Sequence, residues 1–159
     1  MNIIIICIGK LKEKYWREAL AEYTKRLSKY CNLEIIELKE ARLSDKGSAS
    51  EEQAVKQEEG KNILKHIKND FYVISLEING KELSSEALSE KMNNLSIEGK
   101  SNVAFVIGGS LGLSQEVSDR ADYKLSFSKM TFPHQMMRVI LLEQIYRGFK
   151  IIKNETYHK

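Results

Sequence analysis

The residues best equipped for chemistry lie near the end of the chain, in Leu125-Ser126-Phe127-Ser128-Lys129-Met130-Thr131-Phe132-Pro133-His134-Gln135-Met136-Met137-Arg138. This stretch holds hydroxyls, an imidazole, two cations and the only proline. Proline has no N–H to lose and a φ suited to a first helical turn, so Pro133 is read as the start of a helix. The free backbone donors of that helix would point back at the preceding loop, where a polar or anionic group can be held. Of the three histidines, His66 sits in a Lys-rich helical segment and reads as a surface residue. His134 either lines a site or simply occupies the first helical turn. Tyr157-His158-Lys159 gathers an aromatic, a titratable ring and a cation at the terminus; it is either a docking tail or a frayed end.

A second candidate is Gly108-Gly109-Ser110-Leu111-Gly112-Leu113, a glycine-rich turn at the end of an apolar run, where open α/β sheets bind ligands. Ser110 stands in place of the second glycine of the dinucleotide fingerprint, which disfavours a Rossmann cofactor site. Gly99-Lys100-Ser101 imitates the end of a phosphate-binding loop. Asn94 occupies the first glycine's position, however, and the tripeptide precedes its strand. No Ser/His/Asp set, Cys/His pair or paired-acid motif can be assembled, so hydrolysis is a weak hypothesis. No His/Cys cluster offers a metal cage.

The elements that must position these residues read as an α/β fold. Apolar runs at 3–8, 33–38, 71–76, 103–107 and, more weakly, 123–127 are nearly continuous, as strands covered on both faces are. Helical patterns separate them, predicting a mostly parallel sheet with helices on both faces and one domain over 1–159. Tyr15, Trp16, Ala19, Leu20, Tyr23 and Leu27 recur at helical spacing and predict a stripe packed in the core. Ser50 with Gln53 resembles a capping box, and residues 39–49 are the best candidate for a mobile loop.

Composition narrows the class further. The 159 residues are 42% hydrophobic and 30% charged. No apolar run approaches the roughly 20 residues needed to cross a bilayer, so no membrane partner is expected. Met1 leads straight into Ile3-Ile4-Ile5-Ile6-Cys7-Ile8 without a basic n-region, which predicts a cytoplasmic protein. Cys7 and Cys31 are then reduced and structural. The net charge of +3 is uneven: from Arg120 onward eight Lys/Arg face three acids, whereas the rest carries 17 against 19. A polyanion partner or a plain solvated basic helix accounts equally well for that charge.

Taken together, the segments resemble the ribosomal RNA large-subunit methyltransferase H family, pseudouridine N3-methyltransferases of the trefoil-knotted SPOUT superfamily. The resemblance covers essentially the full length. It is carried by Ile8-Gly9-Lys10-Leu11-Lys12, the Val106-to-Gly112 turn, the Phe127-to-His134 loop, the Arg138-Val139…Glu143-Gln144…Tyr146-Arg147 helix and the Tyr157-His158-Lys159 tail. Lys159 stands where some relatives have Arg, and Met130 and Phe132 where some have leucines. The resemblance implies a homodimer with a C-terminal trefoil knot. That enzyme would move a methyl group from S-adenosyl-L-methionine to a pseudouridine of 23S rRNA in the ribosome. It implies cofactor contacts at Leu76, Gly108, Phe127, Ser128, Lys129, Met130, Thr131 and Phe132, and no metal. On the tail and helix, His158 is the candidate base or orienter, Tyr157 packs on the target base, and Arg138 holds phosphate or acidifies the imide. The rivals are a related enzyme with another RNA target and a binding-only ribosome factor.

Overall fold

Ten elements follow one another in the computed structural model, which describes residues 1–159: β1 (Asn2–Ile8), α1 (Lys14–Leu27), β2 (Asn32–Leu38), α2 (Ala49–Leu64), β3 (Tyr72–Glu82), α3 (Ser85–Ile97), β4 (Asn102–Ile107), α4 (Gln115–Arg120), β5 (Tyr123–Ser126) and α5 (His134–Ile152). The five apolar runs are the five strands. All pairings are parallel, in the order β2-β1-β4-β3-β5. The isoleucines of β1 explain why its pattern is continuous. Ile3, Ile5 and Cys7 join the larger core cluster, with residues of α1, α3 and α5, while Ile4, Ile6 and Ile8 join a smaller one that includes residues of α2 and α4. β-branched side chains suit such a two-sided strand. β2, at one edge, alternates between exposed and half-buried positions.

Because the strands are parallel, their C-terminal ends share one edge of the sheet. The turns after β1, β3, β4 and β5 all open there. β3 is longer than its apolar run: Leu76 and Lys81 both pair with Leu125, so residues 77–80 leave the ladder as an excursion. Gly80 closes that excursion against β5. A Cβ there would lie 2.7 Å from the Lys124 carbonyl oxygen, so only glycine lets the two backbones pass.

Two local expectations need correction. The cap of α2 is Ser48, whose hydroxyl accepts from the Glu51 amide at 3.3 Å, and not Ser50. Glu51 occupies the third helical position, so Ser48-x-x-Glu51 has the composition of a capping box, and the Glu51 carboxylate itself accepts from Ser44 at 2.7 Å. Serines also cap α3 (Ser84) and α4 (Ser114). In α1, Leu27 is fully buried but Tyr15 is 59% exposed, so the aromatic stripe is not wholly core. Tyr15 lies at the helix's first turn, whereas Tyr23 packs edge-on against Tyr146 of α5.

Candidate active site: a cavity at the sheet edge and a docked tail

A cavity of about 490 Å³ opens at the C-terminal edge of the strands. Its walls come from the β3 excursion, the glycine turn after β4, the loop after β5, and His134 and Met137 of α5. Leu76, Gly108, Phe127, Ser128, Met130, Thr131 and Phe132 all line it. Lys129 is exposed and does not. The volume and the mixture of apolar wall with a few polar groups match a small-molecule site. Two serines shape the β5 loop: Ser126 donates to the Ser128 carbonyl at 3.1 Å, and the Ser128 hydroxyl accepts from the Met130 amide at 3.0 Å. Met130 is left 73% exposed at the rim.

The glycine turn has a reason of its own. A Cβ on Gly108 would lie 2.8 Å from the Gly112 carbonyl carbon, so glycine is required for the turn to close on itself, whatever the cavity holds.

Pro133 is the N-cap of α5 and not its first helical residue; its carbonyl accepts from the Met137 amide at 3.0 Å. With φ −55° and ψ 133° it keeps the extended entry of a cap, and it offers no side-chain acceptor to the first turn. The next residue, His134, faces the cavity half-buried. Burial, then the nearby Arg138 cation, lowers its pKa, partly opposed by Glu40, with Lys12 a further lowering charge. The ring is therefore held toward its neutral form.

Arg138 does not face the cavity. Its side chain is 1% exposed, with Nη1 donating to Glu37 at 2.8 Å and Nη2 to the carbonyls of Ile8 and Gly9 at 2.7 and 2.8 Å. Nε is buried without a partner. A guanidinium held this way spends its Nη donors within the fold and does not line the cavity, so the structure gives it a framework contact. Arg138 clamps the ends of β1 and β2 to the first turns of α5.

The tail is docked. Tyr157 lies edge-on to Tyr146, under the Arg147 guanidinium, and its hydroxyl donates to Glu143 at 3.3 Å. Burial, followed by the charges of Tyr23 and Glu143, raises its pKa. His158 stands with Nδ1 at 3.2 Å from Arg147 and Nε2 at 2.8 Å from Glu86. A guanidinium only donates, so Nδ1 accepts and the neutral ring carries its proton on Nε2, toward Glu86. Arg147 is itself braced by Glu143 at 2.6 and 3.0 Å. Lys150, Glu155 and Tyr30 tie down the chain before the tail.

Neither Tyr157 nor His158 lines the cavity. The cavity meets α5 at His134 and Met137, whereas the tail meets it at Glu143 to Arg147, six to ten residues on, or roughly 9–15 Å at the helical rise. Within one chain the two halves of the expected site stay apart. His66 is exposed, as expected. Cys7 and Cys31 are buried and unpaired, and burial pushes both thiols up to about 11, so neither is a nucleophile. No group of His, Cys, Asp and Glu could hold a metal ion, and no helix is long and apolar enough to cross a membrane. Sequence reasoning missed Glu77, which lines the cavity directly after an apolar strand; its place at a parallel strand's C-terminal end was the available signal.

An all-parallel sheet with a loop-built cavity at its C-terminal edge is an α/β architecture, and that edge is where open sheets of this kind hold ligands. Comparison with known proteins specifies the class. A family model described as "Predicted SPOUT methyltransferase" matches residues 1–158. Ribosomal RNA large subunit methyltransferase H of Clostridium novyi (strain NT) is 62% identical over 159 residues, all of both chains. The protein of that name from Clostridium kluyveri and the putative one from Methanococcus maripaludis are each 57% identical over the same full length. A solved structure of a probable methylase family protein from Haemophilus influenzae Rd KW20 aligns with a TM-score of 0.55 at 16% identity, over 99% of this chain and 70% of that one, a match of fold alone. The chain belongs to the SPOUT methyltransferase family, whose chemistry calls for a methyl donor.

Proposed function

We propose that the protein is a methyltransferase of the large ribosomal subunit that modifies 23S rRNA in the cytoplasm, using S-adenosyl-L-methionine. Its target is N3 of a pseudouridine. The observation that carries this reading is the cavity: the three loops expected to hold the cofactor converge on one space of suitable size. The residues also fit the cofactor's parts. Leu76, Phe127, Phe132 and Met137 offer apolar surface for a purine, backbone groups of residues 126–132 offer partners for its edge, and one carboxylate is available for its polar groups.

Bound there, the cofactor supplies an electrophilic methyl group on a sulfonium. The protein's own task is to hold the acceptor nitrogen in line and assist removal of the imide proton. His158 is the group for that proton: its Nδ1 is a neutral acceptor once Arg147 yields it. Tyr157 would pack on the target base. Arg138 contributes indirectly, by fixing α5 against β1 and β2, so the roles first given to it pass to Arg147, which is half-buried beside the tail.

Because the tail and the cavity are separate in one chain, the reading requires a homodimer in which one protomer's tail covers its partner's cavity. It includes the trefoil knot that the family resemblance implies. Mixing tests the arrangement. A protomer truncated after Thr156 and a protomer with its cavity filled by Ser128→Trp should each be inactive on ribosomes alone and regain activity together. Failure of the mixture, with both variants folded and dimeric, would assign complete sites to single chains. Gly108 is a poor choice for the cavity variant, because any side chain there strains the turn.

A further inference from the structure

Glu77 is the only carboxylate on the cavity wall, and it is held more firmly than solvation requires. It is the first residue of the β3 excursion. The Ser75 hydroxyl, fully buried on β3, donates to Oε1 at 2.6 Å, and the Ser118 hydroxyl, 8% exposed on α4, donates to Oε2 at 3.1 Å. Two hydroxyls from separate elements thus fix both oxygens and set the plane of the group. A buried serine does not need a carboxylate: Ser89, equally buried, donates to the Gly148 carbonyl instead. Each carboxylate oxygen has two acceptor directions, so each keeps one after its serine is satisfied. Glu77 lines the cavity, so these remaining acceptor directions are what its two fixed oxygens can offer there.

We propose that Glu77 reads the ribose of the bound cofactor, its two oxygens accepting hydrogen bonds from the vicinal 2′- and 3′-hydroxyls. The inference rests on the cavity being the S-adenosylmethionine site and names the group that recognises the nucleoside's sugar. A vicinal diol presents two donors side by side, which is the complement of this carboxylate; in dinucleotide sites an acidic residue bonds the ribose 2′-hydroxyl. The competing use of a negative charge here, attraction of the sulfonium, needs no particular plane and no pair of serines. A site built to bond a hydroxyl also rejects the analogue that lacks it, because the acceptor is then left unpaired. Glu77 would therefore set specificity for ribonucleosides over deoxynucleosides.

Calorimetric titration tests this with S-adenosylmethionine, S-adenosylhomocysteine, and the 2′-deoxy and 3′-deoxy forms of the latter. The wild-type protein should bind each deoxy form about tenfold or more weakly, the size expected for a lost hydrogen bond to a charge. Glu77→Leu should weaken both parent compounds by a similar factor and bind the deoxy forms as well as the parent. Glu77→Gln, which keeps the shape and one acceptor, should fall between, and Ser118→Ala, which frees the carboxylate to turn, should lose several-fold while retaining some discrimination. Thermal unfolding of each variant should remain cooperative. An unchanged parent affinity in Glu77→Leu, or undiminished discrimination, would overturn the proposal. So would a loss confined to S-adenosylmethionine, which would assign the carboxylate to the sulfonium. If the folded wild-type protein bound neither parent compound, the cofactor reading itself would fall, and this inference with it; binding by wild type with Glu77 indifferent would remove the inference alone.

Discussion

Arg138 and Arg147 lie nine residues apart on α5 and look alike in sequence, yet they occupy opposite kinds of environment. Arg138 is 1% exposed, and its Nη groups are satisfied by Glu37 and two backbone carbonyls. Arg147 keeps 25% exposure and is surrounded by Glu143, Tyr157 and His158. The first holds strands to a helix, whereas the second holds the C-terminal tail against that helix. The comparison shows that a cation's surroundings set what it can do: a desolvated charge with fixed partners is part of the frame, and the partly exposed one beside the tail is where the proposed chemistry would draw on it.

The sharpest way to break that comparison is Arg138→Ala, which removes the ion pair to Glu37 and the two hydrogen bonds to the Ile8 and Gly9 carbonyls, while Glu37, one-third exposed, keeps its bond from the Leu11 amide. It should cost about 2–4 kcal/mol of stability, mostly through the lost hydrogen bonds of a charged group, read by denaturant unfolding. Loss of activity without loss of stability would return Arg138 to the catalytic group. At the other end of α5, His158→Ala should lower methyl transfer about 100-fold with cofactor affinity and unfolding unchanged, as for a lost proton-transfer group. Retained activity would remove the tail from the mechanism. Arg147→Ala should cost less than Arg138→Ala, about 1–2 kcal/mol of stability, since Arg147 keeps a quarter of its side chain in solvent. It should nonetheless lower activity by releasing the tail, a split that Arg138→Ala cannot show.

The smallest expected effect concerns His134, between the two regimes at the cavity. Burial lowers its pKa below the ordinary 6.5, so between its folded value and 6.5 the unfolded chain binds more protons than the folded one. Stability should therefore rise with pH through that window and be lost as pH falls toward the folded value. His134→Gln, neutral throughout, should flatten melting temperature against pH below about 6.5. An unaltered slope would mean that other groups carry the dependence.

Much of the architecture was legible because it is written in short stretches. The isoleucines of β1 announce a strand buried on both faces. Gly108 and Gly112 mark a turn, and Pro133 marks a helix start to within one residue. The loop at 127–132 was placed at the cavity with the exception of Lys129. Capping was read two residues late at α2, since Ser48 and Ser50 are equally good caps by composition and only the path of the preceding loop selects between them. Tyr15 was misjudged because helical spacing reports a face but not how far along that face other elements cover it.

Local pattern alone thus determined the alternation of strand and helix, the parallel sheet and the glycine and proline turns at its edge, because side-chain burial and backbone preference act over a few residues. Tertiary structure decided which polar groups are frame and which are site. Glu37 lies 101 residues from Arg138, Ser118 lies 41 from Glu77, and Glu86 lies 72 from His158. The worth of a charge depends on its desolvation and its partners, and these come from segments that meet only when the chain has folded.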